Sequence, residues 1–308
     1  MRDLYIENLI QRERLPEGFI EVVDTVYLPI AEKLETEAKG KPQGHIIGIN
    51  GCPGSGKSTM ALFLKAILES KYELSVAIIS IDDFYKTKQE REQLAIELHP
   101  LFKTRGVPGT HDIELANNTL GALSTATKQS PCLIPRFDKS KDDRYPINDW
   151  DAVLAAPDII ILEGWCVAVT AQKDEDLEPS INSLEQEQDA DARWRKAVNS
   201  NIHGSYQGLF SKLEYLIVLQ AATPEVVLKW RIEQEEKLRK SVAAEASHSN
   251  GAGNPGNTSP IGMSNQQLEK FVMHYERLIR HMHQNLPQLA DIVVELDQQR
   301  GINNLLIK

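Results

Sequence analysis

The sequence predicts an α/β fold, a mainly parallel sheet with helices on both faces. Two observations lead to this prediction. Short aliphatic runs alternate along the chain with segments whose apolar residues have helical spacing. The runs are apolar throughout, which is typical of strands buried on both faces of a sheet. In chain order they are HIIGIN, LSVAIIS, PDIIILEG, KLEYLIVLQ and ADIVVEL.

A helical segment precedes the first of these runs. Apolar residues recur at helical spacing between Gly18 and Lys39, which predicts an amphipathic helix. We therefore interpret residues 1–40 as an N-terminal helical extension. Residues 41–308 are predicted to form the main domain.

Two segments interrupt the alternation, at about 171–210 and 241–262. Within them, Gln172 to Asp191 is acidic and glutamine-rich, and Ala243 to Pro260 is rich in small polar residues, glycine and proline. Such compositions bury too little apolar surface to offset chain entropy. Both segments are predicted to be surface loops inserted into one domain.

The first strand runs into GCPGSGKST, a glycine-rich turn followed by the helical stretch MALFLKAIL. The turn fits G-x-x-x-x-G-K-[ST], the phosphate-binding loop of P-loop NTPases, and lies between a strand and a helix as that motif requires. Its glycines let successive N–H groups surround a polyphosphate at a helix N-terminus. The alternative is an ordinary glycine-rich turn. The predicted nucleotide-binding residues are Gly51, Cys52, Pro53, Gly54, Ser55, Gly56, Lys57, Ser58 and Thr59.

Two polar residues of this loop and one acid from another strand have predicted roles in binding ATP and Mg²⁺. Lys57 would bridge the terminal phosphates, and Ser58 would offer its hydroxyl to Mg²⁺. The run DIIILEG ends in Glu163-Gly164, and an acid at this point predicts a second metal ligand, acting through a bound water. A solvated glutamate at a strand end is the alternative. The base-reading tetrapeptide NKxD of GTPases does not occur, which disfavours GTP.

The strand LSVAIIS leads directly to Asp82 and Asp83. Ligands of open α/β sheets gather at the carboxyl ends of the strands, so both acids are expected beside the phosphate loop. Asp82 is the predicted catalytic base for an acceptor hydroxyl. Asp83 is predicted to support it in the substrate site or to contact a Mg²⁺-bound water. A helix-capping role is the alternative for each.

Two polar loops are candidates for the acceptor site. RGVPGTHD contributes Arg105, His111 and Asp112, because a rigid glycine- and proline-containing loop is suited to presenting side chains. Arg105 would bind a carboxylate or phosphate with its two-pronged guanidinium. Capping is the alternative for Asp112, and simple packing for His111. The second loop contributes Arg136 and Asp138, which a charged turn would explain equally well.

A basic helix follows the strand KLEYLIVLQ. It contains Arg231, for which we predict a catalytic role: a helix with a loose end can close over the phosphates and stabilise transition-state charge. A solvated helix surface is the alternative. In the last long helix, Phe271, Tyr275, Leu278 and Met282 form an apolar stripe that is expected to pack in the core.

Composition limits the partners of the chain. With 308 residues, 41% hydrophobic residues and a net charge of −10, a globular protein without nucleic-acid or membrane partners is expected. There is no apolar run of about 18 residues and no signal-like start, which predicts a cytoplasmic location. Cys52, Cys132 and Cys166 lack metal-site spacing. The predicted partner is a small-molecule acceptor, and the oligomeric state is not determined.

From Ile46 to Leu296 the sequence resembles the D-glycerate 3-kinase family, within the phosphoribulokinase, uridine kinase and pantothenate kinase superfamily. The shared superfamily features are GCPGSGKST, Asp82-Asp83-Phe84 and Leu162-Glu163-Gly164. The narrower features are RGVPGTHD, PRFDKS, EGWCVA, KWRIEQE and GMS. The acidic segment after Ala168 and the long spacer before Gly262 depart from the family pattern.

The resemblance implies ATP-dependent phosphoryl transfer to a hydroxyl of a small acid, with D-glycerate giving 3-phosphoglycerate as the leading case. It also implies that Asp82 takes the catalytic position, Glu163 that of the metal-linked acid and Arg231 that of the lid arginine. Two alternatives stay open. One is a kinase of another small hydroxyl compound, such as a nucleoside, a pantothenate-like compound or a sugar, and the other is a non-catalytic ATP-binding module.

Overall fold

A computed structural model describes residues 4–41, 43–233, 236 and 265–308. Its strands are β1 (His45–Gly51), β2 (Val76–Ser80), β3 (Cys132–Ile134), β4 (Phe137–Asp138), β5 (Asp143–Arg144), β6 (Asp151–Val153), β7 (Ile159–Gly164), β8 (Tyr215–Gln220), β9 (Ile292–Leu296) and β10 (Ile302–Ile307). The helices within the described residues are α1 (Leu4–Arg12), α2 (Phe19–Val22), α3 (Leu28–Ala38), α4 (Lys57–Tyr72), α5 (Lys88–Glu97), α6 (Ile113–Leu123), α7 (Ser183–Gln188), α8 (Arg193–Asn201), α9 (Gln207–Phe210), α10 (226–233) and α11 (Asn265–Leu289).

The predicted α/β fold is confirmed by a six-stranded sheet in the order β10-β9-β8-β1-β7-β2. All neighbours in it are parallel except β9 and β10, which pair antiparallel. Every residue of β7 is buried, and nearly all of β1 and β8, because helices cover both faces. Two small antiparallel pairs, β3 with β6 and β4 with β5, lie outside this sheet.

The strand register sets the position of the site. Ser80 of β2 and Ile49 of β1 both pair with Glu163 of β7. The carboxyl ends of these three parallel strands therefore lie level with one another. The segments that leave them, the phosphate loop, the turn after Gly164 and the Asp82 turn, meet at one edge of the sheet.

The N-terminal helices pack on this core. The helix expected between Gly18 and Lys39 is observed as α2, a π-helical turn (Val23–Tyr27) and α3. The rings of Phe19 and Tyr27 contact that of Phe63 on α4 at centroid distances of 5.3 and 5.7 Å. The division at residue 40 stays a prediction.

The prediction that Gln172 to Asp191 is a surface loop is wrong. This segment contains a 3₁₀ turn (Asp174–Leu177) and α7. It buries Leu177 and Leu184, and its carboxylate at Glu185 is buried in an ion pair with Arg277 of α11. The acidic average composition hides these few anchoring residues. The other predicted loop, Ala243 to Pro260, lies outside the described residues.

The packing predicted for the last long helix is confirmed. The α11 stripe packs in the core, with Tyr275, Leu278 and Met282 buried and Phe271 partly buried. The three cysteines are buried free thiols. Among the described helices, none combines the length and the apolar character needed to cross a bilayer.

Candidate active site

The phosphate loop joins the end of β1 to the start of α4. Gly54 and Gly56 have φ angles of +83° and +91°, in the left-handed region that favours glycine. A Cβ atom at Gly51 would lie 2.4 Å from the Ser55 hydroxyl, so a side chain there would displace the loop. The first N–H groups of α4 have no acceptor within the helix. Together with the positive end of the helix dipole they form a cradle suited to an anion.

Lys57, Ser58 and Glu163 meet beside this cradle. The Ser58 hydroxyl donates to Glu163 Oε1 at 3.1 Å, and Lys57 Nζ lies 3.7 Å from Glu163 Oε2. Glu163 is 5% exposed, and its buried Oε2 atom has no hydrogen-bond partner among the residues that the structure describes. Burial lowers the pKa of Lys57, but Glu163 and Asp82 outweigh it and raise that pKa overall.

These residues fit a phosphate-bound divalent cation. The Ser58 hydroxyl and the Glu163 carboxylate offer hard oxygen ligands of the kind that Mg²⁺ prefers. No cluster of three or more metal-binding histidine, cysteine or acidic side chains occurs in the described ranges. A cation here would therefore take most of its ligands from phosphate and water, as Mg²⁺ does at nucleotide sites.

Asp82 lies in a 3₁₀ turn (Ile81–Phe84) directly after β2. Its Oδ2 accepts a hydrogen bond from Lys139 Nζ at 2.7 Å, and its Oδ1 accepts one from the Tyr85 hydroxyl at 3.2 Å. Burial opposes ionisation, but Lys139 and Lys57 outweigh it and hold the pKa of Asp82 well below its usual range. Asp82 is therefore an ionised carboxylate near the phosphate-loop lysine.

Gly164 explains why the Asp82 turn can approach β7 so closely. A Cβ atom at Gly164 would lie 2.3 Å from Cγ2 of Ile81, the residue that precedes Asp82. Real Cβ contacts are not that short, so a side chain at this position would push the two strand ends apart. The glycine after Glu163 thus has a packing reason as well as a place in the motif.

Asp83 faces a different partner. Its Oδ2 accepts from Arg136 at 2.6 Å, and its Oδ1 accepts from the Phe137 N–H at 3.2 Å. Arg136 also binds the carboxylate of Asp151. Burial raises the pKa of Asp83 even though Arg136 opposes the rise. Asp83 and Arg136 thus tie the Asp82 turn to the β4–β5 hairpin.

His111 is buried against two tyrosines. Its ring stacks on Tyr85 at a centroid distance of 4.3 Å, and its Nδ1 lies 2.6 Å from the Tyr206 hydroxyl. That hydroxyl already accepts the Gly109 N–H at 2.9 Å, so donating its own proton to Nδ1 satisfies both groups and leaves the ring proton on Nε2. Burial lowers the pKa of His111 to about 4. His111 is therefore neutral near pH 7, with an Nε2 atom that has no partner among the described residues.

The structure gives Asp112 the capping role that the sequence left open. Its Oδ1 accepts the Leu115 N–H at 2.9 Å at the start of α6. Its Oδ2 lies 3.5 Å from Arg144. Arg105 is engaged as well, because its guanidinium binds the Asp142 carboxylate and the Lys139 carbonyl. That Arg105 and Asp112 bind the acceptor substrate stays a prediction.

Arg231 lies on α10, close to the phosphate loop. Its guanidinium carbon is 5.7 Å from the ring centroid of Phe271 on α11. A Cβ atom on Gly54 would lie 3.1 Å from Cβ of the preceding residue, Trp230. The part of α10 around Trp230 therefore packs directly on the phosphate loop. The family-like GMS segment and the end of the basic helix lie outside the described residues.

Sequence reasoning missed one residue that holds these parts together. Arg300, in the turn between β9 and β10, donates to the Gly54 carbonyl at 2.8 Å and pairs with Glu233 of α10 at 2.7 Å. Its guanidinium also lies over the Trp230 ring at 5.2 Å. A positive φ of 70° in a non-glycine residue marks the turn, but no sequence pattern reveals it.

Tyr85, Tyr206 and Lys139 were also not predicted. The tyrosines show only as aromatic residues, and their contacts depend on tertiary packing. Lys139 is visible in PRFDKS, where a charged turn explains it without reference to Asp82. Its ion pair with Asp82 becomes visible only in the folded structure, where the β4–β5 hairpin lies beside the Asp82 turn.

Comparisons with known proteins agree with this geometry. No protein-family model matches the sequence. The chain is 33% identical over 258 residues to the uncharacterized kinase mug58 of Schizosaccharomyces pombe, covering 78% of this chain and 82% of that protein. It is 27% identical over 237 residues to the chloroplastic D-glycerate 3-kinase of Arabidopsis thaliana, covering 75% of this chain and 46% of the plant protein.

A solved structure shares the fold. The D-glycerate 3-kinase of Cryptococcus neoformans var. grubii superposes with a TM-score of 0.65 at 20% identity, covering 92% of this chain and 97% of the fungal one. At that identity the likeness concerns the fold alone. The sequence relatives carry the assignment further: this chain is an ATP-using phosphotransferase and belongs to the family of P-loop small-molecule kinases that includes D-glycerate 3-kinase.

Proposed function

We propose that this kinase transfers the γ-phosphoryl group of ATP to the 3-hydroxyl of D-glycerate and forms 3-phosphoglycerate. The observation that carries the proposal is the ionised carboxylate of Asp82 beside the phosphate loop, with cationic side chains on the facing hairpin. A small acid suits this set of side chains, because its hydroxyl needs the carboxylate and its anionic group needs the cations. The likeness to the plant D-glycerate 3-kinase supports this choice of acid.

The chemistry follows from the proposed roles of the site residues. Asp82 accepts the proton of the acceptor hydroxyl while that oxygen bonds to the γ-phosphorus. The bond from the γ-phosphorus to the β–γ bridging oxygen breaks, and ADP leaves. Lys57 and the loop N–H groups stabilise the charge on the phosphates, and Arg231 adds a further cation from α10.

Ser58 and Glu163 would hold Mg²⁺ in this proposal. When bound, the ion neutralises the negative charge that builds up on the phosphates. The Oε2 atom of Glu163 supports the assignment, because no hydrogen bond occupies it within the described ranges. Glu163 also pairs with Lys57, which keeps the lysine beside the loop.

Among the predicted acceptor residues, His111 has a buried polar atom, Nε2, without a hydrogen-bond partner in the described part of the chain. As a neutral ring with its proton on Nε2, it would donate a hydrogen bond to the acceptor. Asp83 and Arg136 fix the Asp82 turn through their ion pair, and Arg105 supports the hairpin through Asp142. A cytoplasmic location and the absence of nucleic-acid and membrane partners stay predictions from the sequence.

The test is an acceptor screen followed by one substitution. Purified protein, ATP and Mg²⁺ are incubated with D-glycerate, glycerol, a nucleoside, pantothenate and a sugar, and ADP release is measured. We expect turnover with D-glycerate. Asp82→Asn should then reduce kcat by about 10²- to 10⁴-fold, because the base is lost, while ATP still binds.

Two outcomes would contradict the proposal. Turnover of a different acceptor in preference to D-glycerate would replace the substrate but keep the phosphotransfer. Unchanged turnover by the Asp82→Asn variant would remove the assigned base. ATP binding by calorimetry separates a catalytic loss from a folding defect, since the variant keeps the phosphate loop intact.

A further inference from the structure

Lys139 reaches Asp82 from a separate part of the chain. It lies in the turn of the β4–β5 hairpin, and its Nζ is 2.7 Å from Asp82 Oδ2. The pair joins that hairpin to the turn that follows β2. In this arrangement a cation occupies one oxygen of the carboxylate that is proposed to act as the base.

The backbone of the Lys139 turn is fixed at both ends. Asp138 Oδ1 accepts the backbone N–H groups of Ser140 at 2.9 Å and Lys141 at 3.2 Å. At the other end, Arg105 and Arg91 both bind the Asp142 carboxylate. The turn therefore keeps its position whether or not the Lys139 side chain moves.

The Lys139 side chain itself is the accessible part. It is 61% exposed, against 23% for Asp82. A lysine is a point charge on a flexible four-carbon stem, and water reaches the Lys139 side of this ion pair. Lys57 still faces Asp82 if Lys139 moves, and a second carboxylate would replace Asp82 as the partner of Lys139, so the exchange leaves neither charge without a counterion.

Three arginines on or beside the hairpin already bind other groups. Arg136 is held by Asp83 and Asp151, and Arg105 by Asp142. Arg144 donates to the Tyr85 carbonyl at 2.9 Å. These three side chains are less exposed than that of Lys139, so moving one of them would break a better-shielded ion pair or hydrogen bond and would cost more than moving Lys139.

We propose that Lys139 determines acceptor specificity by binding the anionic group of the acceptor, and that this exchange frees Asp82 Oδ2 for the acceptor hydroxyl. The inference rests on the proposed phosphotransfer to a small hydroxy acid. An acceptor without a negative charge leaves Lys139 on Asp82 and reacts poorly. Anion recognition and the availability of the base are thus coupled through one side chain.

The test compares two lysines of the same turn. Lys139→Gln removes the proposed ligand. Lys141→Gln is the matched control, because Lys141 is 77% exposed and lies 3.5 Å from Asp138 rather than near Asp82. Initial rates are measured with D-glycerate and with two uncharged counterparts, D-glyceramide and glycerol.

For Lys139→Gln we expect kcat/KM for D-glycerate to fall about 10- to 100-fold, the loss expected for a charge-assisted hydrogen bond. The values for the uncharged acceptors should stay within about threefold or rise, and the KM for ATP should not change. Discrimination between charged and uncharged acceptors then shrinks. Lys139→Arg should restore part of it, and Lys141→Gln should match the wild type.

Equal losses with charged and uncharged acceptors would overturn the proposal, because Lys139 would then serve only Asp82 or the hairpin. Unchanged kinetics would overturn it too. If the wild type prefers another acceptor, D-glycerate is not the substrate, and the kinetics of wild type and Lys139→Gln are compared with the preferred compound instead. A preferred acceptor without a negative charge refutes the role of Lys139. If no acceptor is phosphorylated, the binding of D-glycerate to wild type and to Lys139→Gln is measured by calorimetry. Equal affinity for the two proteins, or no binding to either, refutes the role of Lys139.

Discussion

At the scale of single residues, burial decides which charges the site carries. His111 is enclosed by Tyr85 and Tyr206, and this desolvation lowers its pKa to about 4 although Asp82 favours the charged form. Asp82 has the opposite balance, since Lys139 and Lys57 outweigh its burial. The site thus combines a neutral imidazole with an ionised carboxylate at neutral pH.

The low pKa of His111 makes stability depend on pH. The unfolded chain binds a proton at this residue below about 6.5, whereas the folded chain does so only below about 4. The stabilisation from the neutral ring is therefore complete above pH 6.5 and is lost as the pH falls towards 4. We expect the free energy of unfolding to drop by up to about 3 kcal/mol across this window from His111 alone. Urea unfolding at several pH values measures it.

The control is His111→Gln, which cannot titrate. Other groups, including Asp83, also titrate in the acid range, so only the difference between wild type and variant isolates His111. The variant should show a shallower loss of stability between pH 6.5 and 4. Parallel curves for the two proteins would mean that His111 is not held neutral by the fold.

Residue by residue, the phosphate chemistry was more predictable than the acceptor chemistry. Lys57, Ser58 and Glu163 follow from a local motif and a strand end, and the structure brings them within hydrogen-bond or ion-pair distance. Lys139 and Asp82 are separated by 57 residues, and their contact depends on where the β4–β5 hairpin folds. No local pattern encodes such a pairing.

At the scale of elements, unbroken aliphatic runs identified the five parallel strands because both faces of those strands are buried. The antiparallel edge strand β10 was missed. Asn303 and Asn304 lie exposed near its start, and an edge strand does not need a continuous apolar sequence. The loop predicted from composition for residues 172–191 was also wrong, because a few buried contacts hold α7 there.

The link between α7 and α11 is a buried ion pair. Arg277 Nε donates to Glu185 Oε1 at 2.7 Å, and the same guanidinium binds the carbonyls of Asp176 at 2.8 Å and Pro179 at 2.6 Å. Glu185 also accepts the Ile181 N–H at 3.0 Å. The ion pair and its hydrogen bonds thus hold the acidic segment against α11.

Removing one partner of this pair should destabilise the protein strongly. Arg277→Met leaves the Glu185 charge buried without compensation, and we expect a loss of about 3–5 kcal/mol in the free energy of unfolding. Adding Glu185→Leu should recover part of that loss, because no buried charge then remains. Chemical denaturation of the single and double variants measures both effects.

Arg280→Met is the matched control, three residues further along α11. Arg280 pairs with Glu276 at the surface, so its loss should cost less than about 1 kcal/mol. If Arg277→Met were as mild as this control, the acidic segment would not depend on the pair.

At the scale of the whole molecule, distant parts of the chain converge on the phosphate loop. The turn between β9 and β10 reaches Gly54 through Arg300, although 246 residues separate them in sequence. The same guanidinium binds Glu233 and the Trp230 carbonyl at the base of α10. The loop that holds the phosphates and the helix that carries Arg231 are therefore braced by one side chain.

Arg300→Met should accordingly weaken ATP binding by about 10-fold, because the Gly54 carbonyl loses a charge-assisted donor and the loop is held less firmly. The shift in Tm that saturating ATP produces should shrink as well. Calorimetry and thermal unfolding measure these quantities at a temperature where the variant is folded. Gln299→Ala, an exposed neighbour in the same turn, should leave both unchanged. Unaltered ATP affinity in Arg300→Met would show that the phosphate loop keeps its shape without the brace, and that the C-terminal hairpin contributes to stability alone.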